Sequence, residues 1–122
     1  MQLPQEPKPV IWVGSSRREL KALPRDVQRA MGRALWLAQC GLAAQAARRM
    51  RGLRMRFVTE VRDVDDGRAY RMMYTTAFPE AIYVLCAFEK KSTHGIGTPE
   101  RWLHLVEKRW RDARTIHESE VR

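Results

Sequence analysis

The sequence contains few cysteines and no long apolar run. Cys40 and Cys86 stand far apart, with no CxxC pair and no neighbouring histidine, so we expect no metal or other cofactor and two reduced, buried thiols. No stretch approaches the roughly 20 apolar residues that cross a bilayer. Residues 1–9 are polar and proline-rich, without a signal-peptide core. These absences predict a cytoplasmic protein with no membrane partner.

Acidic residues are also fewer than basic ones. The chain has 14 Asp and Glu against 23 Lys and Arg, which gives a formal net charge of +9. Such a surface attracts polyanions, and nucleic acid is the leading candidate partner. Two other interpretations stay open: charge that only keeps the protein soluble, and a basic surface meant for an acidic protein.

Length and composition indicate one folded domain. A chain of 122 residues with 44% hydrophobic residues has room for one core. We expect the domain to span residues 1–122, with a flexible start over 1–8.

Apolar periodicity and turn residues predict the order of secondary structure. Asp66 and Gly67 mark a tight hairpin turn, Gly41 breaks or bends a long helix, and Thr98 caps the last helix. The predicted segments are a strand over 9–14, helices over 16–23 and 25–47, strands over 55–64, 68–76 and 81–89, and a helix over 98–118.

This order predicts an α+β fold: strand, two helices, three antiparallel strands and a helix, with the helices packed on one face of a curved sheet. Side chains alternate along a strand, so Glu60 and Arg62 share one face of that sheet.

Six short motifs in order resemble the RelE/HigB superfamily of toxins, in its phage-derived HigB-like branch. They cover the chain from about residue 12 to residue 114. The motifs are WVGSS at 12–16, ALWLAQ at 34–39, EVR at 60–62, YRMMYT at 70–75, FEKKS at 88–92 and TP at 98–99.

The resemblance implies the toxin of a type II toxin–antitoxin system. Such a toxin is an mRNA endoribonuclease, which cuts mRNA on the ribosome without a metal when a ribose 2′-hydroxyl attacks the adjacent phosphate. It also implies a helix-turn-helix, HigA-like antitoxin as partner, in a possible toxin–antitoxin hetero-oligomer.

The same resemblance selects the candidate residues. The catalytic candidates are Arg71, Glu60, Arg62, Lys90 and Lys91, and the RNA-binding candidates are Arg48, Tyr74 and His94. Cleavage needs a base, an acid and cations that stabilise charge on the phosphate, and a guanidinium grips phosphate oxygens bidentately.

Several roles stay open at this point. Glu60 is either a general base or the partner of a neighbouring arginine, and Tyr74 either stacks on a base or fills the core. His94 either titrates in the site or is an ordinary exposed loop residue. Many relatives carry histidine at the position of Cys86, so proton transfer by that histidine is missing here.

Two rival functions also stay open. One is a non-catalytic RNA-binding module, since a helix, three strands and a helix also describe a double-stranded-RNA-binding domain. The other is an inactive toxin-like domain that serves only as an antitoxin partner. Loss of growth on expression, rescued by the neighbouring gene, distinguishes an active toxin from both.

Overall fold

The computed structural model describes residues 6–91 and 98–120 of the chain. Within them the helices are α1, α2 and α3, and the strands are β1 to β5. Their bounds are β1 Val10–Trp12, α1 Ser16–Lys21, α2 Arg25–Gln39, β2 Ala47–Arg49, β3 Val58–Asp65, β4 Arg68–Thr75, β5 Ile82–Lys90 and α3 Glu100–Glu120. No helix among these described residues is long and apolar enough to cross a bilayer.

The strands form one mixed sheet in the order β1-β5-β4-β3-β2. β1 runs parallel to β5, and the other neighbouring pairs are antiparallel. The α+β class, the three-strand meander and the order of the helices are therefore confirmed.

The β3–β4 hairpin has the turn that its sequence predicts. Asp65 pairs with Arg68, which leaves a two-residue loop of Asp66 and Gly67 with φ of +51° and +74°. Two successive positive φ angles define a type I′ turn, whose twist matches that of the strands. This register places Arg62 directly across from Arg71.

α2 is shorter than its sequence predicts. Its buried residues Val27, Met31 and Ala34 follow the helical period. The helix ends at Gln39, shortly before Gly41, whose φ of +80° is a left-handed conformation that glycine adopts without strain. Ala47, predicted as the last residue of this helix, instead begins the edge strand β2 together with Arg48 and Arg49.

The helices lie on both faces of the sheet, which corrects the prediction of one covered face. α1 and α2 pack with Val61, Met72 and Val84 on the first face. α3 packs through Val106 and Ala113 on the second face. Strand residues of opposite parity point to opposite sides, and both sides of the central strands are apolar here.

A β-bulge alters the alternation of β5. Met73 pairs with Cys86 and Tyr74 pairs with Val84, so Leu85 is the extra residue. Leu85 and Cys86 therefore both belong to the core on the α3 side. Burial raises the pKa of the Cys86 thiol well above its ordinary value, so this side chain packs as a small apolar group.

A buried ionic network fixes α3 to the rest of the fold. Arg109 donates hydrogen bonds to Glu19 of α1, to the Ser15 hydroxyl and to the carbonyl of Leu85, each 2.8 Å long. The hydroxyl of Ser15 donates to Glu19 at 2.8 Å and makes no capping bond to α1. Gly14 leaves room for this network, because a Cβ at its position would lie 3.1 Å from Nε of Arg109.

The start of the described chain is held against α2. The backbone N–H of Lys8 donates to the carbonyl of Gln39 at 3.0 Å, and the Gln39 amide donates back to the carbonyl of Lys8 at 2.6 Å. Lys8 thus has fixed partners, although residues 1–8 were predicted to be flexible. Residues 1–5 lie outside the described part.

Candidate active site

A group of charged side chains occupies the second face of the sheet, beside the beginning of α3. Glu60 and Arg62 of β3 share this face, and the cross-strand partner of Arg62 is Arg71 of β4. Lys90, at the end of β5, has the same parity as Phe88, which packs on the α3 side. We call Arg62, Arg71 and Lys90, with Glu60 among them, the cation cluster.

Glu60 is the acceptor that organises the cluster. Its side chain is only 5% exposed. Oε1 accepts a hydrogen bond from Nε of Arg62 at 2.8 Å, and Oε2 accepts one from the hydroxyl of Thr98 at 2.9 Å. Nε of Arg71 stands 3.7 Å from Oε2, an ion pair beyond hydrogen-bonding distance. This arrangement favours an orienting role for Glu60 over that of a general base.

The two arginines differ in exposure. The side chain of Arg62 is 56% exposed, whereas that of Arg71 is 9% exposed. Burial lowers the pKa of Arg71, the charge of Glu60 counteracts this, and the charge of Arg62 adds to the lowering. A guanidinium keeps its proton under such conditions, so Arg71 presents a partly desolvated positive charge. Such a charge binds an anion more strongly than a fully hydrated one.

Lys90 belongs to the cluster and Lys91 does not. Partial desolvation lowers the pKa of Lys90, and the charges of Arg71 and Arg62 lower it further, while Glu60 opposes them. Lys91 is exposed and lines a separate depression beside Glu19 of α1 and Trp102 of α3. The pair of lysines therefore divides between two surfaces.

A groove leads away from the cation cluster along the edge of the sheet. Arg48 of β2 pairs with Glu60 and lies on the same face. The groove has a volume of about 670 Å³. It is lined by Ala46, Arg48, Arg49, Met50, Arg51, Glu60, Arg62 and Thr98. Three arginines beyond the cluster give this path the charge that a phosphodiester backbone requires.

One of the candidate RNA-binding residues, Tyr74, is not in this site. Tyr74 is buried in the core under α1 and α2, on the face opposite Arg71, so the placement of Tyr74 corrects its assignment to RNA binding. Its phenol fills the core, and burial raises its pKa. His94 lies outside the described residues.

Thr98 is a member of the site that its sequence context does not reveal. A threonine before proline predicts a helix cap. In the structure its hydroxyl donates to Glu60, a residue 38 positions earlier. Hydrogen bonds between distant segments leave no periodic pattern in the sequence.

The arrangement suits chemistry on a phosphate. Arg62 and Arg71 can stabilise negative charge on phosphate oxygens. Lys90, with its lowered pKa, exchanges a proton nearer neutrality than an ordinary lysine does.

Comparison with known proteins gives one matching family and a likeness to solved structures. The sequence profile of a family described as phage-derived protein Gp49-like matches residues 18–111, more than half of the chain. The matched stretch includes the whole cation cluster. No curated protein matches the sequence.

One of these structures is that of the toxin–antitoxin complex RelBE2 from Mycobacterium tuberculosis. The match to one of its chains has a TM-score of 0.50 and 16% sequence identity, over 69% of this chain and 99% of that chain. At this identity the likeness shows a shared fold.

Proposed function

Since the chain belongs to the phage-derived Gp49-like family, within the RelE/HigB toxin superfamily, we propose that it is the toxin of a type II toxin–antitoxin system. Its proposed activity is ribosome-dependent cleavage of mRNA, which takes place in the cytoplasm and stops translation.

The observation that carries this proposal is the convergence of Arg62, Arg71 and Lys90 around one carboxylate. These cations come from three different strands. Arg62 and Arg71 both pair with Glu60, and the side chain of Arg62 is 56% exposed, so a ligand can reach the cation cluster from that side. A buried carboxylate that pairs with a single cation is balanced in charge. Here the positive charges outnumber the carboxylate, which favours an anionic ligand.

The proposed reaction is an in-line transesterification on one phosphate. The ribose 2′-oxygen loses its proton and bonds to phosphorus, the bond from phosphorus to the 5′-oxygen breaks, and the leaving oxygen gains a proton. A 2′,3′-cyclic phosphate and a free 5′-hydroxyl result. Arg71 and Arg62 hold the phosphate oxygens, and Lys90 serves in proton transfer or as a third cation. Arg48 extends the RNA path.

The proposed partner is an antitoxin of the helix-turn-helix, HigA-like kind. Two facts support it: the structural neighbour comes from a toxin–antitoxin complex, and this chain has a net charge of +9. A strongly basic surface favours a partner that offers an acidic segment.

Arg71→Ala tests the catalytic proposal, with Arg33→Ala as its matched control. Arg33 is exposed on α2, away from the cation cluster. We expect induced expression of the wild type and of R33A to stop growth, and co-expression of the neighbouring gene to restore it. R71A should permit growth and keep the wild-type melting temperature.

The purified protein gives the second measurement. We expect translated mRNA to be cut when ribosomes are present and to stay intact when they are absent, with R71A slower by about a hundredfold or more. Cutting of free RNA without ribosomes contradicts the ribosome dependence. Binding without cutting in both mixtures points to a non-catalytic RNA-binding module.

A further inference from the structure

We propose that Thr98 is a positioning residue for the phosphate clamp: its hydroxyl holds the carboxylate of Glu60 away from Arg71 and so keeps that guanidinium available to RNA. This inference rests on the proposed function for its substrate. Its geometric part, the competition between Thr98 and Arg71 for one oxygen, stands on the described contacts alone.

The distances indicate which donor holds each oxygen of Glu60. Oε1 accepts from Arg62 at 2.8 Å. Oε2 accepts from the Thr98 hydroxyl at 2.9 Å, while Nε of Arg71 remains 3.7 Å from the same oxygen. Because 3.7 Å is too long for an N–H···O hydrogen bond, Thr98 and not Arg71 is hydrogen-bonded to Oε2.

Arg71 therefore keeps N–H groups that make no hydrogen bond to Glu60. Its Nη1 donates to the carbonyl of Tyr70 at 3.3 Å. A guanidinium carries five N–H groups in a planar fork that matches two phosphate oxygens. An arginine engaged bidentately by a carboxylate has that fork occupied, so the threonine keeps the ion pair of Arg71 and Glu60 from closing into a bidentate one.

Thr98 is well placed to hold this position because the helix after it is anchored. Arg54, which precedes β3, forms ion pairs with Glu100 and Glu107 in the first turns of α3. Further along the helix, Arg109 bonds to Glu19 in the buried network. The hydroxyl therefore comes from a fixed point beside the cation cluster, and Thr98 also lines the groove that leads from it.

Loss of the hydroxyl should change the partner of Oε2. The side chain of Glu60 is 5% exposed, so water replaces a lost donor poorly. Nε of Arg71 lies close enough to Oε2 that a small shift would bring the two atoms within hydrogen-bonding distance. The carboxylate then competes with RNA for Arg71, and the clamp weakens without any change in the overall fold.

Thr98→Val is the direct test, with Thr98→Ser as the matched control. Valine keeps the branched shape and removes the donor, whereas serine restores the donor. We expect T98V to lower kcat about tenfold, the loss typical of a hydrogen bond to a charged group, while T98S stays close to the wild type. Both variants should keep the wild-type Tm. Equal losses in T98V and T98S overturn the inference, because both variants change shape and only one lacks the donor.

A second readout does not depend on cleavage. The ¹H–¹⁵N signal of Nε in Arg71 should move downfield in T98V, as expected when that N–H gains a carboxylate acceptor, and should stay in place in T98S. Thr98→Ala gives the same comparison should T98V not fold. An unchanged Arg71 signal in a folded variant without the hydroxyl overturns the inference. Wild-type protein that fails to cut mRNA while the signal moves overturns the proposed function and leaves the positioning role standing.

Discussion

At the scale of the residue, one carboxylate among three cations determines the electrostatics of the site. Glu60 offsets part of the repulsion among Arg62, Arg71 and Lys90. Desolvation lowers the pKa of Lys90, and the positive charges of the two arginines lower it further. Folding therefore brings like charges together where water is partly excluded, and an anionic ligand would relieve their repulsion.

Substitutions at Arg62 and Glu60 should move the pKa of Lys90 in opposite directions. Arg62→Gln removes a neighbouring positive charge, so the pKa of Lys90 should rise towards its usual value of 10.5. Glu60→Gln removes the negative charge that opposes the lowering, so the pKa should fall further. Titration of the ¹³Cε signal of Lys90 by NMR measures both shifts.

The ¹³Cε signal of Lys21 serves as the control for that titration. Lys21 lies on α1, which packs on the other face of the sheet, so neither substitution should change its titration curve. Shifts of Lys90 in the same direction in both variants would show that structural rearrangement, and not charge, controls this lysine.

At the scale of the element, α3 depends on one buried arginine. Burial by itself raises the pKa of Glu19, but hydrogen bonds from Arg109 and Ser15 and the charge of Arg109 outweigh it, so the pKa is lowered. Arg109→Met leaves this carboxylate without its main partner. We expect the free energy of unfolding to fall by about 2 to 3 kcal/mol, less than for a fully buried pair, because Glu19 is 19% exposed. Urea unfolding measures it.

Lys108→Met is the matched control, since Lys108 pairs with Asp112 on the exposed side of the same helix. It should change the free energy of unfolding by less than about 0.5 kcal/mol.

The buried network of Arg109 and Glu19 should also make stability depend on pH. A lowered carboxyl pKa contributes stability above the usual value of 4.5, and that contribution is lost as pH falls through the folded-state pKa. R109M should therefore lose less stability than the wild type on acidification below 4.5.

α2 offers a stabilising substitution. Gly32 lies in the middle of the helix, and a Cβ added there would meet nothing within 4 Å. Gly32→Ala should raise the free energy of unfolding by about 0.5 to 1 kcal/mol, because glycine loses more backbone entropy in a helix. Gly67→Ala should lower it, because Gly67 has a φ of +74° in the β3–β4 turn. Thermal melts of the two variants should move in opposite directions.

The sequence predicts the elements whose signals are local. Asp66 and Gly67 define their hairpin by turn chemistry, and the alternation of β3 places Glu60 beside Arg62. The same alternation separates Tyr74 from Arg71, so this signal was sufficient to exclude Tyr74 from the site.

Long-range polar contacts are what the sequence does not predict. Arg109 is a charged residue on the same helix face as Val106 and Ala113, and its spacing does not show that it bonds to a glutamate 90 positions earlier. β2 is three residues long, too short to show an alternating pattern, and it forms by pairing with β3. The docking of α3 on the second face likewise depends on apolar residues on both sides of the strands, which periodicity alone cannot assign.

At the scale of the whole molecule, the net charge of +9 should govern RNA affinity through salt. We expect the triple variant Arg48, Arg49 and Arg51 to Gln to weaken binding of a 2′-O-methylated single-stranded RNA. Its slope of log K against log salt should fall by about 2, since each phosphate contact with a single strand contributes about 0.7. Titrations at several salt concentrations measure the slope.

The arginines of α2 provide the control for that titration. Arg25, Arg29 and Arg33 carry the same charge on an exposed helix face, and Arg29 pairs with Asp26. Their replacement by Gln should leave the slope nearly unchanged. An equal loss in both triple variants would mean that RNA responds to total charge and not to the groove.

The dependence of Glu60 on Thr98 also sets an order of events during synthesis. The ribosome delivers β3 and β4 well before it delivers α3, so a nascent chain holds Glu60 and Arg71 while the hydroxyl that separates them is still untranslated. In that interval the carboxylate is free to close onto the arginine. The proposed clamp is therefore complete only after α3 has docked and Thr98 has reached the carboxylate.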